Sequence, residues 1–100
     1  MGRIDTYAMD VPTLADGNGD ALPARDYIDK TVSVEGTFVC DCNVQVLQDG
    51  SATWFNVGAT VTSPQLVPVS YMADQIRIVV SNYVSGQAVA RLTGRTNAGG

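Results

Sequence analysis

The stretch from Asn43 to Val57 constrains the fold most, because it carries the sequence pattern of a β-hairpin. Val44 and Val46 alternate with polar neighbours, which is the two-residue period of a strand. Asp49-Gly50 follows, and this dipeptide is typical of a hairpin turn because glycine accepts positive φ at low steric cost. The aromatic and β-branched run over residues 53–57 predicts the returning strand.

The returning strand also predicts which side chains face the protein interior. Phe55 and Val57 are two residues apart and share one face, whereas Trp54 points to the other face. If Phe55 and Val57 line the core, Trp54, the single tryptophan of the chain, is left half-exposed or in a contact surface.

Further strands are predicted on both sides of this hairpin. Residues 30–38 alternate cleanly, with Gly36 on the apolar face, where we expect a bulge or a close neighbour. Residues 75–83 and 87–95 alternate in the same way and are separated by a turn. Residues 65–67 are flanked by prolines, so we expect an edge strand or a loop there.

Six to eight short strands with regularly spaced turns, and no long segment with helical period, predict an all-β fold. We expect a single antiparallel β-sandwich, jelly-roll-like or immunoglobulin-like. The predicted core consists of Val32, Val34, Phe38, Val44, Val46, Phe55, Val57, Ile76, Ile78, Val80 and Leu92.

The sequence predicts three regions. Residues 1–29 contain scattered apolar and acidic residues with two prolines, so we expect an extended N-terminal arm with at most one short edge strand. Residues 24–29 could make a single helical turn. Residues 30–96 form the sandwich, and residues 97–100 form a flexible tail. On this division, removing residues 1–24 leaves the sandwich folded.

The charge pattern narrows the classes of partner. Residues 1–50 hold nine acidic and three basic residues, whereas residues 51–100 hold one acidic and three basic residues. No basic stripe is available to neutralise phosphates, so we expect no nucleic-acid partner. No apolar run reaches the roughly 18 residues of a membrane span, so we expect no membrane partner.

An enzymatic function is not expected. The chain has no histidine, which is the commonest general base, and no nucleophile elbow or phosphate loop. Cys40 and Cys42 have neither a second cysteine pair nor a histidine for a zinc site, so we expect two reduced, packed thiols. Asp16, Asn18 and Asp20 have the odd-position spacing of a calcium loop, but its glycine and glutamate are missing. We therefore expect no cofactor or metal.

The chain resembles a small β-sandwich protein found among the virion proteins of tailed bacteriophages. The segments that carry this resemblance are 30–38, 44–50, 53–54, 73–80 and 92–95. The resemblance implies a structural role in the virion, foremost as a head decoration (cement) protein bound to the major capsid protein. A tail, neck or fibre component is the alternative within the class. It further implies a homo-oligomer, a dimer or trimer, that is made in the host cytoplasm.

Five residues are candidate protein contacts. Trp54, Val79 and Val89 lie on strand faces opposite the predicted core, where exposed apolar side chains favour an interface. Tyr7 and Met9 belong to the predicted arm, which we expect to lie across a neighbouring subunit.

A carbohydrate-binding module is the alternative from another functional class. Trp54, Tyr71 and Tyr83 are the aromatic residues that would form its sugar platform. The same residue types are also enriched in cores and subunit interfaces.

Overall fold

The computed structural model describes residues 3–96, which form two antiparallel sheets packed face to face. The predicted all-β sandwich is confirmed. Within residues 3–96 no helix occurs, and so none that is able to cross a membrane. The strands are β1 (Ile4–Met9), β2 (Gly17–Asn18), β3 (Leu22–Pro23), β4 (Tyr27–Glu35), β5 (Phe38–Leu47), β6 (Trp54–Val61), β7 (Gln65–Val69), β8 (Gln75–Gly86) and β9 (Val89–Thr96).

Each sheet has two long strands at its centre and shorter strands at its edges. The strand order is β1-β9-β4-β7 in the first sheet and β2-β8-β5-β6 in the second, where β3 also pairs with β8. We call these sheet A and sheet B. The edges of sheet A are thus β1 and β7, and β6 is the edge of sheet B at the far side from β2.

The core forms between the two sheets from residues that alternate along the central strands. Ten of the eleven predicted core residues are buried, and Val32, Ile76, Ile78 and Leu92 are fully inaccessible. Burying each such side chain contributes about 1.5–3 kcal/mol, so these rows supply most of the driving force for folding.

Phe55 departs from the predicted core. It shares the inner face with Val57 and pairs with Val46, as the alternation requires, yet it is 53% exposed. The reason is its position on an edge strand, where the inner face opens to solvent. The prediction was therefore right about the direction of Phe55 and wrong about its burial.

The predicted strand over residues 30–38 is interrupted in the structure. β4 ends at Glu35, and the chain crosses from sheet A to sheet B through Gly36 before β5 begins at Phe38. Gly36 has φ of +93°, and a Cβ there would lie 2.7 Å from the Gln87 carbonyl oxygen. The close neighbour expected at Gly36 is present, but at a crossover between sheets.

Residues 4–29 belong to the sandwich and do not form a separate arm. All six residues of β1 pair with β9, and both β2 and β3 pair with β8. Met9 and Ala24 are buried in the core. In place of the expected helical turn, a tight turn leads into β4, closed by the Tyr27 N–H donating to the Ala24 carbonyl over 3.2 Å. The predicted tail, residues 97–100, lies outside the described residues.

Deletion of residues 1–24 is now expected to unfold the domain, because it removes β1, β2, β3 and several core side chains. The measurement is thermal unfolding followed by circular dichroism, and the expected result is loss of the cooperative transition. Ile4→Ser is the control, since Ile4 is 68% exposed and its substitution should leave the transition intact. A truncated protein that melts cooperatively would support the prediction that residues 1–29 form a separate arm.

Leu92→Ala tests the inner row directly. Leu92 is fully buried between the sheets, so its truncation should lower the free energy of unfolding by about 2–5 kcal/mol. Leu66→Ala, at a position 68% exposed on β7, should change it by no more than about 0.5 kcal/mol. Urea denaturation measures both values, and equal effects at the two positions would contradict the burial argument.

Candidate interaction surfaces

The first half of β6 is an open sheet edge. Within residues 3–96, the backbone of residues 54–57 pairs with β5 alone and makes no other backbone hydrogen bond. The second half lies against β7, because a Cβ on Gly58 would come 3.3 Å from Val67 Cγ1. Unpaired backbone donors and acceptors on an edge strand are a template for another strand.

An apolar groove runs beside this open edge. It has a volume of about 330 Å³ and is lined by Val46, Gln48, Phe55, Asn56, Val57 and Tyr71. Phe55 and Tyr71 are 53% and 61% exposed, and the neighbouring Met72 is 75% exposed. Large apolar side chains that cluster in this way mark a surface that is suited to contact with another apolar group. We call the open edge and this groove together the β6 edge.

The outer face of sheet B is a network of polar side chains beside Trp54. The Arg77 guanidinium carbon lies 4.1 Å from the centroid of the Trp54 ring, a cation–π geometry. Arg77 Nε also donates to Gln45 Oε1 over 2.9 Å, and Gln45 Nε2 donates to Asn56 Oδ1 over 2.9 Å. These side chains satisfy one another, and they hold one face of the indole under a cation.

The five predicted contact residues lie on different surfaces. Trp54 and Val79 are half-buried on the outer face of sheet B, and Val89 is 44% exposed on the outer face of sheet A. Tyr7, 47% exposed, lies on the β1 edge, whereas Met9 is only 6% exposed and packs in the core. Met9 is therefore removed from the candidate contacts, and the others do not form one patch.

The three aromatic residues of the predicted sugar platform are also separated. Trp54 stacks with Arg77, whereas Tyr71 lines the groove at the β6 edge. The Tyr83 hydroxyl donates to the Gly86 carbonyl over 2.8 Å, near the end of β8. The three rings therefore do not form one shared stacking surface.

All six basic side chains of the chain are engaged by neighbouring groups. Four arginines form ion pairs: Arg3 with Asp5, Arg25 with Asp49 and Asp74, Arg91 with Glu35, and Arg95 with Asp29. Arg77 is held by Trp54 and Gln45, and Lys30 is buried. Because no cation projects freely, a phosphate-binding surface would have to break existing pairs.

One end of the sandwich is closed by Arg25. Its guanidinium lies between Asp49, at the β5–β6 turn, and Asp74, before β8. Two clefts of about 430 and 460 Å³ lie beside it and share Arg25, Tyr27 and Asp74. The hydrogen bond from Arg3 holds the pKa of the nearby Asp5 below its ordinary value. These ion pairs are exposed to solvent, so they add little to stability.

Lys30 is a buried charge that the sequence pattern did not single out. Its alternation with Val32 places it on the inner face of β4, where it is 4% exposed and donates from Nζ to the Tyr27 carbonyl over 3.2 Å. Burial lowers the pKa of Lys30. The position was predictable from strand period, but a lysine in that row is normally assigned to the surface.

The residues with calcium-loop spacing take part in hydrogen bonds or strand pairing that involve backbone groups. Asp16 Oδ1 accepts from the Tyr83 N–H over 2.8 Å, and Asn18 is part of β2. The Asp20 N–H donates to the Asp10 carboxylate over 2.8 Å. Among residues 3–96 no three acidic, cysteine or histidine side chains converge as metal ligands.

Cys40 and Cys42 point into the core from the same face of β5, as strand period requires. Both thiols are free and buried, with their sulfur atoms 3.8 Å apart. Burial, together with the neighbouring Cys40, raises the pKa of Cys42 to about 12. A thiol with a raised pKa is a poor nucleophile, so the pair packs the core.

Comparison with known proteins yields a structural match. No family model matches the chain, and no curated protein matches it in sequence. A solved structure, the crystal structure of the SPBc2 prophage-derived protein YomS, is similar to this chain with a TM-score of 0.79. The match covers 96% of each chain at 7% identity. The two chains share a fold over nearly their whole length.

The raised pKa of Cys42 predicts a loss of stability in alkali. The unfolded thiol ionises near its ordinary value of 9.0, whereas the folded thiol stays protonated until about pH 12. Its contribution is therefore fully present below about pH 9 and is lost as the pH rises toward 12. Urea denaturation from pH 8 to 10.5 should show a steeper fall for the wild-type protein than for Cys42→Ala. Parallel curves would contradict the assignment.

Proposed function

We propose that this chain is a non-enzymatic structural protein of a bacteriophage particle that acts by binding other protein subunits. Within residues 3–96, eleven large apolar side chains are between 43% and 75% exposed. They carry the proposal, because contact with other subunits would remove this apolar surface from water. They are Ile4, Tyr7, Leu14, Ile28, Val39, Phe55, Leu66, Tyr71, Met72, Val84 and Val89.

The distribution of these side chains fits a subunit with several neighbours. Leu66 lies on the edge strand β7, Val84 near the end of β8, and Phe55 at the β6 edge. A particle subunit contacts more than one chain, and each contact of ordinary size buries ~800 Å² on each partner. Apolar side chains spread over several edges serve such contacts better than they serve one ligand pocket.

The fold supports the same proposal. The structural neighbour is a prophage-derived protein, and the sequence itself resembles small virion sandwiches. Within the particle, we place the chain foremost on the head, as a decoration protein on the major capsid protein. Its excess of acidic groups, with every basic side chain engaged, suits a capsid surface with free basic groups. A tail, neck or fibre position is the alternative.

The experiment is to locate the chain on particles of the phage that encodes it. Antibody labelling in negative-stain electron microscopy should mark the head, and particles that lack the protein should lose heat resistance and regain it when purified protein is added. Labelling of the tail would move the assignment within the particle. Absence from purified particles would overturn the proposed function.

Point variants make that binding test specific. Leu66→Ser, Met72→Ser and Val84→Ser each remove one exposed apolar group, and at least one should weaken binding to deficient particles by tenfold or more. Thr60→Ala, on the exposed polar face of sheet B, is the control. If all four variants bind equally, apolar contacts do not hold the protein on the particle.

A further inference from the structure

The four sheet edges differ in their protection against pairing with another strand. β7 contains Pro68, and β2 and β3 are only two residues long. β1 carries Asp5 on the inner face. Prolines, short strands and inward-pointing charges are the usual devices that prevent edge pairing. The β6 edge has none of them, since residues 51–61 contain neither a charged residue nor a proline.

We propose that the β6 edge pairs antiparallel with the β6 edge of a second copy of this chain, across a two-fold axis. The pairing joins sheet B of one protomer to sheet B of its partner through residues 54–57. It places the Phe55 side chains beside the apolar grooves, which cover one another. This pairing stands independently of a virion role.

The geometry of a two-fold pair makes this edge self-complementary. Opposed residues of an antiparallel pair share one face of the sheet. With the axis perpendicular to the sheet, the inner face of one protomer continues into the inner face of the other. In one register Phe55 lies opposite Phe55 of the second copy and Asn56 lies opposite Trp54. In the other register Phe55 lies opposite Val57 and Asn56 lies opposite Asn56. Apolar groups meet on the inner face and hydrogen-bonding groups on the outer face.

The charge pattern also favours a second copy at this edge. Two identical chains each carry a formal net charge of −4, so most approaches bring acidic groups together. Residues 51–61 carry no charge, so strand pairing here places no like charges in opposition. Four paired residues beside one groove form a small contact, so we expect a weak and reversible dimer with a dissociation constant of roughly 1–100 μM.

The first test is sedimentation velocity of the full chain over that concentration range. The wild-type protein should shift reversibly from 10.5 kDa to twice that mass. Phe55→Lys places a charge in the groove and should weaken the dimer at least a hundredfold. Gln65→Lys is the matched control, because Gln65 is also an exposed side chain on an edge strand, β7 of the other sheet, and it should leave dimerisation unchanged. Circular dichroism melts check that both variants fold.

A cross-linking test identifies the contact itself. Phe55→Cys should form an intermolecular disulfide on mild oxidation if Phe55 opposes Phe55, and Asn56→Cys should do so in the other register. Gln65→Cys should not form one, and the native Cys40 and Cys42 stay buried. A wild-type protein that remains monomeric at about 200 μM overturns the pairing, as does a dimer that survives in Phe55→Lys. A monomer that nevertheless binds phage particles would overturn this pairing and leave the proposed function standing.

Discussion

Two of the crossovers between the sheets, at Gly36 and Gly86, fix the rest of the architecture. They lie side by side, and the Gln87 N–H in the second crossover donates to the Thr37 carbonyl in the first over 3.0 Å. A Cβ on Gly86, where φ is +81°, would lie 2.2 Å from the Thr37 oxygen and 2.7 Å from the Phe38 Cα. Only glycine allows the two chain segments to approach this closely. The contact therefore aligns β4 and β9 in one sheet with β5 and β8 in the other.

This alignment explains which strands are protected from pairing with another strand and which are open to it. The four strands that these two crossovers join become the central pairs, β4 with β9 and β5 with β8. The inward-facing side chains of these strands meet as the core. Every other strand is added at an edge, where its exposure depends on its own residues. Pro68 in β7 and Asp5 in β1 limit further pairing at those edges, whereas the first half of β6 keeps an open backbone. The β6 edge is thus a consequence of where the crossovers place the centre of each sheet.

The sequence predicted the central strands well because their alternation is a local property. The two-residue period correctly placed four residues of these strands in the core, namely Val32, Val44, Ile78 and Leu92. The pairing of the N-terminal strand into the sandwich was missed because its partner is remote: Met9 lies opposite Ala90, and no local pattern reports a pairing over such a distance. The exposure of Phe55 was missed for a related reason, since period gives the face of a residue and not its distance from the sheet edge.

The interaction surfaces were harder to predict than the fold, because they depend on which side chains satisfy one another. Trp54 was correctly assigned to the outer face, but Arg77 covers its ring from two strands away, and this pairing requires the β6-β5-β8 order. Every basic side chain already contacts a neighbouring group. A ligand that binds one of them must therefore replace an existing contact, and the net gain in binding free energy is small. Apart from the excess of acidic groups, the features left for recognition are apolar surface and open backbone. Both favour another polypeptide over a charged small molecule, because only a polypeptide supplies a strand edge and apolar side chains together.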